Sequence, residues 1–523
     1  MIATIFTPGS SSYHRGAIWT LALSGMGLSS SLATYPYAFA GCADVDDTQF
    51  KEVSLVTRTM DQIEEPLKMA FDLLAAPGED AKDRVDVYFV ERYGKIRKYD
   101  SKTKTVLTLA ELTPPTSGSD GLTGIALDPA FKANHRMYLD YTFSGPGEAS
   151  YRVSRFVLNA QHTSLDLASE KVLLKIPVSL GQVHTGGAMQ FDAYGDLWIT
   201  VGDAGPDPKG PSNSMSLRGK ILRIHPNDDA TYSIPKGNLF PVGKAKTLPE
   251  IYIMGNRNPY SLTLDPVRRW VGWGDVGPDS YKNPDSTGAL TEEKDFATVP
   301  GNHGWPFFAG NNYVIVPGID PAKPVLPANI NWGTTPHGLD TLPPATPSIF
   351  PYPEAASITG PFYRYDGDLV SSIKWPPHFN RKWFTTDFGG RGPITVVTLS
   401  EDGKTRIAQD TILKKMQLYN PLDFQAGPDG AMYVVNYAGY RTVTVNTGIV
   451  RIEYTGTCRP ALPKLEKATG LAANPSSRLP DKEGVREFRR TLSVTFRGSH
   501  GVELRDLRGR AVLPSAGPVS RGK

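Results

Sequence analysis

The sequence predicts an all-β protein: a six-bladed β-propeller behind an N-terminal signal segment, with a short C-terminal tail. Three observations predict it. Strand-like runs led by an aromatic recur at Tyr88, Tyr138, Trp198, Trp270, Trp383 and Tyr433, spaced 50, 60, 72, 113 and 50 residues apart. Glycine (51) and proline (44) are frequent among the 523 residues, so turns are many. Helical patterns are few and short, the best running from Gln62 to Leu74. Repetition also explains the length. A single core rarely grows beyond ~250–300 residues, whereas each repeat brings its own layer. A repetitive sandwich array is the alternative architecture.

The chain opens with His14-Arg15, an apolar run from Ala17 to Leu32, and Ala38-Phe39-Ala40 before Gly41. A basic start, a short apolar stretch and an A-x-A ending describe a secretory signal peptide over residues 1–40. That predicts a secreted or periplasmic protein. No later stretch reaches ~18 consecutive apolar residues, so no membrane span is expected. Only Cys42 and Cys458 exist, and they flank almost the whole repeat region. A disulfide between them is the favoured reading in an exported chain. The alternative makes Cys42 a lipid-modified N-terminus, since Phe39-Ala40-Gly41-Cys42 approximates a lipobox.

The propeller is placed over residues 41–458. A second strand type follows most of the aromatic-led runs, for example Lys95–Tyr99, Lys220–Ile224 and Ile449–Glu453. The 113-residue gap is read as insertions, including the Pro-rich stretch from Val316 to Pro351. Residues 459–490 are rich in proline, charge and small residues and read as a linker. Residues 491–523 form a tail too short for an independent domain. The segment 471–523 carries 11 Lys/Arg and 5 Asp/Glu, against a formal +3 for the whole chain. Its Val502–Val512 stretch resembles the sorting modules of type IX secretion, which implies surface attachment. A frayed basic tail is the alternative. Apolar residues (40%) and charged residues (21%) exclude a disordered chain or a membrane bundle. Near-neutral charge without a basic stripe argues against nucleic acid as a partner.

HExxH, GxSxG, P-loop and GxGxxG signatures are all missing, so chemistry must come from propeller loops around the axis. His184 stands in Val183-His184-Thr185-Gly186-Gly187, where paired glycines permit unusual backbone angles. An imidazole there can act as a general base, and a tight-turn structural histidine is the alternative. Arg257-Asn258 can bind planar carboxylate or quinone oxygens, or simply brace a loop. Gly277-Pro278-Asp279 can offer oxygens to a hard cation, or form a plain turn. Gly202-Asp203-Ala204-Gly205-Pro206-Asp207 and Gly274-Asp275-Val276-Gly277-Pro278-Asp279 are near copies.

Taken in order, these segments resemble the soluble quinoprotein glucose/sorbosone dehydrogenase family over roughly residues 60–455. The resemblance runs through Asp120-Gly121-Leu122-Thr123-Gly124, His184-x-Gly186-Gly187, Gly255-x-Arg257-Asn258-Pro259, Gly301-Asn302-His303-Gly304-Trp305-Pro306 and Pro428-Asp429-Gly430. It implies a six-bladed propeller that oxidises a sugar or polyol hydroxyl with pyrroloquinoline quinone (PQQ) and calcium, passing electrons to an external acceptor. By resemblance His184 takes the hydroxyl proton, Arg257, Asn258 and Arg391 hold the quinone, and the Gly277 and Pro278 carbonyls hold calcium. This chain departs from the family at four places. Val183 stands where an Asp is expected and Tyr260 where a Gln is expected. Only Arg391 is basic near Phe388-Gly389-Gly390, and Asn420-Pro421-Leu422 replaces two expected arginines. The runner-up reading is therefore a carbohydrate- or protein-binding propeller that has lost the cofactor, with a propeller hydrolase or lactonase behind it.

Overall fold

The computed structural model describes residues 45–205, 209–278, 292–328, 330–332, 336–352, 356–389, 392–437, 443–459, 493–496 and 502–505. The signal segment, Cys42, Arg391 and residues 460–490 of the linker lie outside these. The chain divides into two units, Met1–Leu462 and Pro463–Lys523.

In the first unit six sheets, each with a four-stranded antiparallel core, follow one another as blades; five have four strands and the third is extended to six. Blade 1 runs Pro66–Leu73, Val85–Glu91, Lys95–Asp100 and Thr105–Glu111 from axis to rim. Blade 2 uses Leu122–Leu127, Arg136–Gly145, Glu148–Leu158 and Leu165–Pro177. Blade 3 uses Gly186–Phe191, Leu197–Val201, Lys220–Pro226 and Ile251–Met254. Blade 4 uses Pro259–Leu264, Val271–Asp275, Glu292–Ala297 and Phe350–Tyr352. Blade 5 uses Ala356–Phe362, Lys382–Phe388, Ile394–Leu399 and Arg406–Ile412. Blade 6 takes Pro421–Ala426, Met432–Asn436 and Gly448–Tyr454, and its rim strand is Phe50–Thr57 from the other end of the chain. Phe50 pairs with Tyr454 there. This closure hydrogen-bonds an edge that would otherwise stand open. Each first strand contacts the first strands of the blades before and after it, so six inner strands surround one axis.

The blades are held by aromatics on their second strands. Tyr88, Tyr138, Trp198, Trp383 and Tyr433 are essentially fully buried between neighbouring blades. Several tie their polar tip to an aspartate of the preceding turn: Tyr138 to Asp128, Trp198 to Asp192 and Tyr433 to Asp429. A buried ring of this kind stabilises through area, and its polar tip needs a partner. Blade 4 corrects the sequence reading. Trp270 precedes the second strand and is only half-buried, while the fully buried ring is Trp273, which donates to Asn256 Oδ1 at 3.1 Å.

The helix expected over Gln62–Leu74 is also corrected. Only Arg58–Asp61 is helical, and Gln62 ends it in the left-handed region at φ 51°. Pro66–Leu73 is instead the inner strand of blade 1, in register with Val85–Glu91. Pro66 has no N–H to continue a helix, and strand pairing gives Met69, Phe71 and Leu73 partners that an exposed helix would lack. The long gap in blade 4 holds an insertion between Ala297 and Phe350. Its Gly301–Asn302 strand adds in parallel to the rim of blade 3 beside Met254.

In the second unit the described residues form a hairpin, Ser493–Phe496 with Val502–Arg505.

Candidate active site

At one mouth of the axial channel the inner strands begin, and the loops leading into them surround a cavity of about 570 Å³. Arg92, Thr123, His184, Arg257, Asn258 and Tyr260 give it polar groups, while Val183, Ile358, Phe388 and Leu422 give it apolar wall. The far ends of the same strands line a second cavity of about 310 Å³ around Leu264, Phe362 and Ala426. The first cavity collects the residues of interest.

His184 sits directly before the inner strand of blade 3, in the left-handed region at φ 64°. Such a backbone persists in a non-glycine residue only when its surroundings fix it. Here the end of the next strand passes beneath it. A Cβ on Gly202 would lie 2.0 Å from the His184 carbonyl oxygen, so only glycine fits. The ring is held by Asp203. Its Oδ1 accepts from His184 Nδ1 at 2.7 Å and from the Gly205 amide at 3.0 Å, and Oδ2 accepts from Trp305 Nε1 at 3.1 Å. A carboxylate can only accept, so Nδ1 carries a proton, and in the neutral ring Nε2 keeps its lone pair.

Arg257 and Asn258 open blade 4. Both of their backbone amides donate to Asp275, at 2.9 Å and 2.6 Å. Arg257 Nη1 donates to the Val276 carbonyl at 3.0 Å, and its own carbonyl accepts from the Asp203 amide at 2.8 Å. Asn258 Oδ1 accepts from the Gly186 amide at 3.3 Å, next to the histidine. Burial holds the Asp275 carboxyl well above its ordinary range, against the lowering effect of the two amides. Gly277 and Pro278 follow Val276 directly, which places their backbone beside the Arg257 loop.

The structure thus brings His184, Arg257 and Asn258 to one mouth, and Gly277 and Pro278 follow Val276, which also lines it. Arg391 lies outside the described residues; Phe388 and Gly389 just before it line the cavity. Three partners were not assigned from sequence: Asp203, Asp275 and Trp305. A signal for the first two existed. The duplicated Gly-Asp pair ends the second strand of blades 3 and 4, and each aspartate turns to the loop that carries the site residues. Trp305 stood in the Gly301–Pro306 motif, but nothing in the sequence tied it to Asp203. It reaches Asp203 because the insertion strand docks on blade 3, where the Trp305 amide donates to the Gly255 carbonyl at 3.0 Å.

The chain is similar to known proteins in sequence and in fold. The family model described as Glucose / Sorbosone dehydrogenase matches residues 77–333. Quinoprotein glucose dehydrogenase B of Acinetobacter calcoaceticus is 26% identical over 249 residues, covering 43% of this chain and 48% of the relative. The chain therefore spans about half the length of that relative. Aldose sugar dehydrogenase YliI of Escherichia coli is 23% identical over 324 residues, covering 61% of this chain and 74% of the relative. The solved PQQ-bound form of aldose sugar dehydrogenase from Streptomyces coelicolor is 19% identical, with a TM-score of 0.51. That match covers 77% of this chain and 98% of the other. At that identity the likeness shows the fold alone. Residues 77–333 are thus similar to the Glucose / Sorbosone dehydrogenase family, the sequence also resembles two dehydrogenases, and the fold is that of the solved structure.

Proposed function

We propose that this protein is an exported quinoprotein that oxidises a hydroxyl of a sugar or related alcohol, with His184 as general base. The observation that carries the proposal is the Asp203–His184 pair. A buried carboxylate fixes Nδ1–H and turns a free Nε2 to a cavity whose wall also carries Arg257 and Asn258. Nε2 takes the hydroxyl proton, and Asp203 holds the ring through both charge states.

The residues present suit a planar, acidic quinone. Arg257 and Asn258 offer charge and hydrogen bonds, while Ile358, Phe388 and Leu422 offer apolar surface to ring faces. Arg391 is proposed as a further contact. Pyrroloquinoline quinone supplies the two-electron acceptor when bound. Among the described residues no group of three His, Cys, Asp or Glu is placed to hold a metal ion. A calcium ion would instead be held by the Gly277 and Pro278 carbonyls, as a hard cation prefers oxygen ligands. An external acceptor would be needed to take up the electrons.

The test adds PQQ and calcium to purified apo-protein and follows cofactor absorbance and dye reduction with a panel of aldoses. His184→Ala is expected to keep cofactor affinity and lose about 10²–10⁴-fold in rate, with Asp203→Asn losing a comparable factor. Retention of more than about half the activity by His184→Ala would remove it as the base. The departures at Val183, Tyr260 and Asn420-Pro421-Leu422 favour the second reading, a binding propeller without cofactor. Failure of the wild type to bind micromolar PQQ would select it.

A further inference from the structure

Four tryptophans donate their indole N–H inside the blades: Trp198 to Asp192, Trp273 to Asn256, Trp375 to the Ile452 carbonyl and Trp383 to Thr359. All four are fully buried, so each N–H needs a protein acceptor. Trp305 differs. It is only half-buried, and it gives its N–H to Asp203, the carboxylate that holds His184. In this pair the acceptor is the group that needs the bond.

Asp203 is 2% exposed, and its two oxygens are unequally supplied. Oδ1 accepts from His184 Nδ1 and the Gly205 amide; among the described residues Oδ2 accepts only from Trp305. A buried carboxylate oxygen without a donor is costly. Without the indole the carboxylate also has no second point of attachment, and its plane, which aims Oδ1 at the imidazole, is free to turn. The backbone that carries the indole is fixed. The Trp305 amide donates to the Gly255 carbonyl at 3.0 Å, the His303 amide to the Met254 carbonyl at 2.8 Å, and the Gly304 amide to Asn302 Oδ1 at 3.0 Å. A Cβ on Gly255 would lie 2.4 Å from that Asn302 oxygen, so only glycine admits so close a seat. The Arg257 guanidinium lies 5.8 Å from the centre of the Trp305 ring. One side chain of the blade 4 insertion thus meets both the support of the histidine and the arginine arm.

We infer that Trp305 is a positioning residue: its N–H fixes the plane of Asp203, which keeps the proton of the neutral His184 ring on Nδ1 and the lone pair of Nε2 toward the cavity. For the task of His184 as base the inference rests on the functional reading above; the hold on Asp203 rests on the geometry.

The experiment uses the full chain and two readouts. Nitrogen-15 NMR of histidine-labelled apo-protein reports which nitrogen of the neutral His184 ring carries the proton, with its signals assigned by their loss in His184→Ala. Turnover with PQQ, calcium and an aldose reports kcat and KM. Trp305→Phe keeps an aromatic ring and loses the N–H. It is expected to add the Nε2–H form and to lower kcat about 10- to 100-fold, with KM and PQQ affinity within a few-fold. In an Asp203→Asn background the same substitution is expected to cost no further factor in kcat. That background also serves if Trp305→Phe alone fails to fold, since it leaves no buried carboxylate without its donor. An unchanged tautomer in Trp305→Phe, or an equal loss of kcat with and without Asp203, would make Trp305 a packing residue and overturn the inference while the quinoprotein reading stands. A shifted tautomer with unchanged kcat would keep the hold of Trp305 and remove His184 as the base. A wild type without turnover sinks the quinoprotein reading, and the tautomer alone then decides on Trp305.

Discussion

His184 is useful only because of residues distant in sequence. Its loop offers the ring, Gly202 lets the strand end pass underneath, and Asp203 fixes which nitrogen faces the cavity. The same scale gives a pH prediction. Asp140, on the second strand of blade 2, is almost fully buried, and burial pushes its carboxyl up to about 8. In the unfolded chain it titrates near ~4. Between those values the unfolded state holds fewer protons than the folded one, so Asp140 makes stability fall as pH rises through that window. Asp140→Asn removes this slope. The variant should exceed wild type by about 2–5 kcal/mol at pH 8 and show no such gain near pH 4. Denaturant unfolding at both pH values checks it; equal differences at the two would rule out Asp140 as the titrating group.

The elements that matter are strand ends. In blades 3 and 4 the second strand closes with Gly-Asp, and those aspartates hold the loops of His184 and of Arg257-Asn258. The insertion in blade 4 serves blade 3, since its short strand brings Trp305 to Asp203. The rim strand of blade 6 joins the two ends of the propeller, with Phe50 opposite Tyr454. This pairing bears on the cysteines. Cys458 follows Tyr454 by four residues and packs against the blade 5–6 core, and Cys42 precedes Phe50 by eight. Cys42 lies outside the described residues, so the bridge stays a proposal. Cys458→Ser is expected to lower stability by about 2–5 kcal/mol under oxidising conditions and to change nothing under reductant. A titratable thiol at Cys458 in the oxidised wild-type protein would refute the bridge.

For the whole molecule, closure of the ring sets what each part contributes. Six inner strands surround the axis, and the site lies where they begin. The propeller unit ends at Leu462, before the basic tail. Truncation after Glu466 should therefore leave turnover and melting temperature unchanged while altering where the protein accumulates. A truncated protein that melts earlier or turns over more slowly would make the tail part of the enzyme. Among the described residues no helix is long and apolar enough to cross a membrane.

The blade count was legible in the sequence because each blade repeats one local rule, an aromatic on a strand after a polar turn. Such a rule survives changes in spacing from 50 to 113 residues. It misled at Trp270, because two tryptophans three residues apart satisfy it equally and only packing against blade 3 selects Trp273. It misled at Gln62–Leu74, where pairing with Val85–Glu91 overrides a weak helical pattern. His184, Arg257 and Asn258 were legible because their residue types stand out beside paired glycines and proline. Their partners were not. Asp203 looked like part of a turn, and Trp305 reaches it across 102 residues of chain. The ammonium of Lys68 likewise reaches the Leu422 carbonyl from 354 residues away. Sequence determined the repeat, because each blade's second strand is a short, fully buried run set between turn residues. The hydrogen bonding of the site was decided only when the ends of blades 3 and 4 and the blade 4 insertion came together.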